Sequence, residues 1–242
     1  VADVTGPASG KSGRAEKTLV SRGAPPRHAQ RNATKGAERA KQIMAVAEQL
    51  FHERGYADTS MDDIAKAAGL LKGSLYYYMD SKEDMLYRIA EEGQDALQSG
   101  IDAVNARHEL SPIERVAEYV EAQVAFNVAN MTKVAVYHTD WMRLDGDRLA
   151  EIVRRRNATE AAFTALLAEA QRAGEIPAEV NLKFATASAF GVIIWPYTWY
   201  RDQSVESNRL LLEDSEAALA ELIAFVREFV LRGLGAVLNA RR

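Results

Sequence analysis

From position 36 onward, apolar residues recur three and four places apart with charged or small polar residues between them, the period of amphipathic helices rather than of strands. Ala40, Ile43, Met44, Ala47, Leu50 and Phe51 make the first stripe, and Gly55 falls where a left-handed C-terminal cap is needed. The next helix opens on a capping-box pattern, Ser60 with Asp63, carries Ile64, Ala65 and Ala68, and closes at Gly69 after about two turns. Residues 71–79 form another short helix, and Ser81 with Asp84 caps a fourth that runs towards 106. Ser111, Pro112 and Glu114 start a helix over 112–129: a hydroxyl N-cap, proline at the first helical position and an acid at the third. Further stripes predict helices near 132–143, 147–173, 182–201 and 214–237. No alternating run bounded by turn residues lasts more than a few positions, and no repeat of fixed period is visible, so the chain reads as all-α and not as a solenoid.

Composition narrows this pattern. The 242 residues are 48% hydrophobic, enough to bury a real core, and the absence of cysteine removes disulfides, thiolate metal sites and cysteine nucleophiles, so a cytoplasmic setting is expected. Residues 1–35 hold seven Lys and Arg against two acids, with Pro25, Pro26 and no apolar period. They read as a disordered basic tail, either an arm beside a nucleic-acid-binding unit or an inert leader. The net charge is −4, but residues 1–80 carry 12 basic against 9 acidic side chains and the remainder 18 against 25, which puts any polyanion-binding face in the first third.

That third contains two short helices joined by a glycine turn, a helix-turn-helix in which the second helix is narrow enough for a DNA major groove. Gly73 at its front lets backbone approach DNA, and Lys72 and Ser74 can reach base edges or phosphate. Tyr76, Tyr77 and Tyr78 cannot all point inward, because consecutive helical residues are turned about 100° apart. Thr59, Ile64, Ala65, Ala68, Gly69, Gly73, Leu75, Tyr76, Ser81, Lys82 and Leu86 together resemble the N-terminal pattern of the TetR/AcrR family of bacterial transcriptional regulators. Two departures stand out: Leu71 replaces the usual hydroxyl N-cap of the recognition helix, and Met79 the usual phenylalanine. The resemblance implies a tail over 1–35, a three-helix helix-turn-helix DNA-binding domain over 36–82, and a larger helical ligand-binding and dimerisation domain over 83–242, about nine helices. It implies double-stranded operator DNA as partner, a palindromic operator, a homodimer formed through the helices near 182–201 and 214–237, and a small effector that releases a repressor. Tyr76 and Tyr77 are then expected at the groove and sugar-phosphate, Tyr78 and Lys82 at phosphate, and Ser60 with its helix N-terminus at another phosphate, with Thr59 also among the DNA-binding residues.

The effector would sit among the long middle helices, where polar and aromatic residues interrupt apolar faces. Two clusters do so, one with Tyr137, His138, Trp141 and Arg143, the other with Trp195, Pro196 and Trp199. Residues 190–201 also look like the matching stretch of the family's fatty-acid and sterol regulators, which implies an acyl-CoA thioester whose phosphates would meet Arg143, Arg148, Arg154, Arg155 and Arg156. A small phenolic effector bonded by Asp140, Arg143 or Asp95 fits the same clusters, and sequence does not separate the two. Pro196 is expected to kink its helix and open a carbonyl.

Other functions find little support. The four histidines are scattered, and no zinc-protease helix, phosphate loop or serine elbow occurs, so neither enzyme activity nor a cofactor or metal is expected. The 17 uncharged residues over 184–200 include Thr, Ser and Pro and suit a covered protein interface better than a membrane. The remaining alternative is an all-helical adaptor that binds protein without DNA.

Overall fold

The computed structural model describes residues 27–199 and 216–236, and helices account for the regular structure there, with no strand among the described residues. The elements are α1 (Arg27–Arg54), α2 (Met61–Ala67), α3 (Lys72–Tyr76), α4 (Lys82–Asn105), α5 (Pro112–Ala129), α6 (Met131–Asp140), α7 (Gly146–Arg172), α8 (Leu182–Ile194) and α9 (Glu216–Gly233), with 3-10 turns at Trp141–Arg143 and Trp195–Thr198. Helix starts are fixed by side chains that take otherwise unpaired amides. Ser60 and Asp63 form a capping box on α2, as do Ser111 and Glu114 on α5, while Ser81 caps α4 and Asn181 caps α8. Gly55 (φ 84°) and Gly69 (φ 66°) reverse the chain on either side of α2, in the left-handed region a Cβ disfavours.

Three boundaries differ from those the apolar period predicts. α1 begins at Arg27 rather than 36: no Gly or Pro interrupts 27–35, and an existing helix extends by one hydrogen bond per residue. Residues 1–26 of the expected tail lie outside the described residues. The helix expected over 132–143 tightens to a 3-10 turn after Asp140. That expected over 182–201 does so after Ile194, because Pro196 has no N–H to donate. In the tighter turn the amide facing the Ile193 carbonyl would be that of Pro196; the carbonyl accepts instead from Asn127 Nδ2 at 3.1 Å.

Buried side chains form two apolar clusters. The first joins Ile43, Ala47 and Phe51 of α1, Ile64, Leu75 and Met79 with Met85, Leu86 and Ile89 of α4, and takes Val136 and Tyr137 from α6 and Ile152 from α7. The second packs Ile101 and Val104 of α4 with α5, α7, α8 and α9. α4 thus belongs to both, and the core of the helix-turn-helix unit does not close at residue 82, where the expected boundary fell; it reaches at least to Ala90 and across to α6. Among the described residues no helix is long and apolar enough to cross a membrane.

Tyr119, fully buried, anchors the second cluster against Phe163 (5.1 Å between ring centres), and its Oη has no hydrogen-bond partner among the described residues. A buried hydroxyl left unpaired costs about 1–3 kcal/mol. Tyr119→Phe keeps the ring and is expected to raise stability by about 1 kcal/mol, read from urea unfolding; a loss of stability would reveal a partner for that hydroxyl.

Candidate nucleic-acid interface and effector cavity

α3 has five residues, and only Leu75 of them is buried; Met79, just beyond, is buried with it and fills the position left by the missing phenylalanine. Every third or fourth residue therefore holds the helix down, and what lies between faces out. Leu71 is 81% exposed, Tyr77 83% and Tyr76 46%, and Lys72, Gly73 and Ser74 are exposed beside them. Tyr78 is half-buried, its ring edge-on to that of Tyr77 at 5.0 Å. A Cβ on Gly73 would meet nothing within 4 Å, so the chain's own packing does not demand glycine there. Lys72 pairs with Asp62 across the turn at 2.9 Å, both groups half in solvent.

Three expected phosphate or groove contacts are engaged internally. Thr59 is 1% exposed and its hydroxyl donates to the Gly55 carbonyl at 2.9 Å, fixing the turn into α2. The Ser60 hydroxyl is taken by the capping box, and hydrogen bonds from Ser60 hold the Asp63 carboxyl below its usual range, so a carboxylate already occupies the N-terminus of α2. Lys82 Nζ donates to the carbonyls of Tyr56 (2.7 Å) and Ala57 (3.2 Å) and lies 4.3 Å from the Tyr56 ring centre; burial lowers its pKa. Within the chain these three serve as a turn lock, a cap, and a tie from α4 to the segment just after α1.

Between α4, α6, α7 and α8 lies a cavity of about 260 Å³ lined by Gln94, Leu97, His138, Arg156, Thr159 and Phe190 among others. The Tyr137 hydroxyl accepts from Gln94 Nε2 (2.6 Å) and Arg156 (2.9 Å) behind this wall, and the Arg156 guanidinium sits 4.6 Å from the Trp141 ring centre. His138 stacks on Tyr197 and its ring makes no hydrogen bond among the described residues, and burial, with the charge of Arg156, pushes its pKa down to about 4. Of the expected effector residues, Tyr137, His138 and Trp141 gather here. The others do not. Asp95 is exposed and pairs with Arg155 at 2.7 Å, Arg143 pairs with Asp140 at 2.7 Å, and Arg148 pairs with Asp84 at 3.2 Å. Trp195 is exposed at the end of α8, and Trp199 packs on the second apolar cluster. Sequence reasoning passed over Gln94, Thr159 and Phe190; the signal available was two polar residues on otherwise buried helical faces.

Residues 43–89 match the family described as bacterial regulatory proteins, tetR family, and residues 109–209 match the tetracyclin repressor-like C-terminal domain. SCO3833, a TetR-family regulator of Streptomyces coelicolor A3, is 30% identical, superposes with a TM-score of 0.65, and aligns over 81% of this chain and 91% of its own. The chain belongs to the TetR family. It is therefore a DNA-binding transcriptional regulator and not an enzyme. A curated relative, the probable HTH-type transcriptional regulator ArpR of Pseudomonas putida, is 23% identical over 202 residues, 80% of this chain and 88% of that protein. The crystal structure of AibR in complex with isovaleryl coenzyme A and operator DNA shares the fold, with a TM-score of 0.65, 22% identity, and 79% of this chain and 97% of that one aligned.

Within this TetR-family chain α3 begins without a side-chain cap, since the Leu71 side chain can accept no hydrogen bond. Leu71→Ser supplies a hydroxyl at an exposed position and is expected to stabilise the protein by about 1 kcal/mol, checked by thermal unfolding. The depressed pKa of His138 has a definite sign. Between its ordinary value of 6.5 and about 4 the unfolded chain binds more protons than the folded one, so stability falls as pH drops through that window. His138→Phe should flatten that part of the pH profile, measured by urea unfolding at several pH values.

Proposed function

We propose that the protein is a ligand-responsive repressor that binds a palindromic operator as a homodimer in the cytoplasm and is released by a small effector. The observation that carries this is the outward row of Leu71, Lys72, Ser74, Tyr76 and Tyr77 around Gly73, on a helix held from behind by Leu75 and Met79. Exposed aromatic and aliphatic side chains next to a cation and a glycine suit a groove that offers base edges, thymine methyls and phosphates. The named relatives, regulators among them and one solved on operator DNA, support the same reading.

Dimerisation through α8 and α9 is supported by the apolar surface they leave open. Phe184, Trp195, Phe225 and Phe229 are all more than half exposed, and Phe184 and Phe229 line a groove of about 290 Å³ between the two helices. Covering such a patch with a second copy removes it from water and sets the separation of the recognition helices, which must be about 34–36 Å to enter successive major grooves. An effector acts by binding better to a different separation, and about 5.5 kcal/mol of differential affinity takes the population from 99:1 to 1:99. α4, shared by both apolar clusters, is the element that connects the cavity to the helix-turn-helix. The effector is either an acyl-CoA thioester, as in the AibR complex, or a small aromatic or phenolic compound.

Gel shifts on the DNA flanking the protein's own gene test this. Affinity should fall steeply with salt, Tyr77→Ala should weaken binding by at least about tenfold, or 1.4 kcal/mol, and Phe229→Glu should abolish it by splitting the dimer. Salt-independent retention, or no effect of Tyr77→Ala in an intact dimer, would point instead to a protein-binding adaptor.

A further inference from the structure

Five arginines, Arg143, Arg148, Arg154, Arg155 and Arg156, stand near the middle helices as cations for an anionic effector, and their partners tell them apart. Arg143 is paired with Asp140, Arg148 with Asp84, Arg154 with Glu151, and Arg155 with Glu91, Asp95 and Glu151. Arg156 has no carboxylate within ion-pair distance among the described residues; its partners are the Tyr137 hydroxyl and the faces of Trp141 and Tyr137. It is also the arginine that lines the cavity.

Two further groups of that wall lack partners. Gln94 is 2% exposed; one polar atom of its amide meets Tyr137 and, whichever way the amide is turned, the other has no hydrogen bond. His138, uncharged at neutral pH, offers both ring nitrogens without a bond. A cation lacking a counter-ion, a half-satisfied amide and a free imidazole thus converge on one partly open cavity, whose apolar wall is Leu97, Ala187, Phe190 and Ile194 and whose other polar lining is Thr159 and Glu160. Buried polar groups carry partners as a rule, so the open atom of Gln94 marks a place where a bound molecule supplies one, with the part-exposed Arg156 and His138 beside it.

We infer that this cavity takes a compact organic monoanion, an aryl or short-chain carboxylic acid whose carboxylate pairs with Arg156 while its apolar body lies on Leu97, Phe190 and Ile194. The inference rests on the ligand-responsive reading above and narrows its effector to a small carboxylic acid, against the thioester and the uncharged phenol. A guanidinium receives a carboxylate through two parallel hydrogen bonds, which suits a lone arginine. The phosphates of a CoA thioester call for several cations, whereas the lining holds this one cation and an acid, the exposed Glu160. The space, about 260 Å³, lies below the usual range for drug-sized ligands, about 300–1,000 Å³. The site also has a route to DNA. A carboxylate on Arg156 competes with Tyr137, and Tyr137 on α6 is packed in the same apolar cluster as α1, α2 and α3.

Calorimetric titration of the full-length protein with benzoate, phenylacetate and isovalerate tests this, with benzamide and phenol as uncharged counterparts and isovaleryl coenzyme A as the thioester. At least one of the three acids is expected to bind, with at least tenfold loss on Arg156→Met and partial retention on Arg156→Lys, each variant first shown by circular dichroism to fold. Binding that is unchanged in Arg156→Met, equal binding of the uncharged counterparts, binding of the thioester alone, or no binding by any of the acids overturns it. Gel shifts without effector, run in parallel, keep the two ideas apart. Operator binding without acid binding sinks only this inference, whereas acid binding without any DNA affinity sinks the repressor reading.

Discussion

α4 is a buried partner in two separate cores, and this double membership constrains the rest of the structure. Its first half supplies Met85, Leu86, Ile89 and Ala90 to the cluster beneath the helix-turn-helix, and its second half supplies Ile101 and Val104 to the cluster of α5, α7, α8 and α9. Close-packed interiors do not deform smoothly, so a shift of such a helix is felt at both ends. α6 adds a second bond between the halves through Val136 and Tyr137, which lie in the first cluster although the helix sits among the effector elements. The DNA-binding unit is therefore a stretch of sequence completed by residues from far along the chain.

Electrostatics sort the middle of the protein in a similar way. Arg155 gathers Glu91 and Asp95 from α4 and Glu151 from its own helix, fastening α4 to α7. Arg156, next in sequence, is turned by about 100° and meets tyrosine and tryptophan instead. One arginine serves as a clamp and its neighbour faces a cavity, a division that follows from helical geometry and from where the carboxylates lie.

Much of the fold is legible in the sequence because its signals are local. Ser60 with Asp63, Ser111 with Pro112 and Glu114, and the glycines at 55 and 69 each fix a helix end by chemistry within four residues, and each does so in the structure. That at least one of the three tyrosines faces outward follows from the helical period alone. Less legible are features that depend on distant partners. Thr59, Ser60 and Lys82 fit a DNA-contact pattern, and Lys82 also donates to the Tyr56 and Ala57 carbonyls, which only the folded chain brings to it. The same holds for the effector residues: Asp95 and Arg148 have the right chemistry but meet Arg155 and Asp84, while Gln94 and Thr159 carry no motif and acquire meaning by facing a shared space.

The Lys82 tie joins the first turn of α4 to the backbone just after α1, half out of water and over an aromatic face. Ionic screening acts strongly on exposed charges and much less on ones partly withdrawn from solvent. Raised ionic strength therefore weakens phosphate contacts more than this joint, so the dissociated form keeps the start of α4 fastened beside α1 and meets DNA again with its helix-turn-helix still assembled.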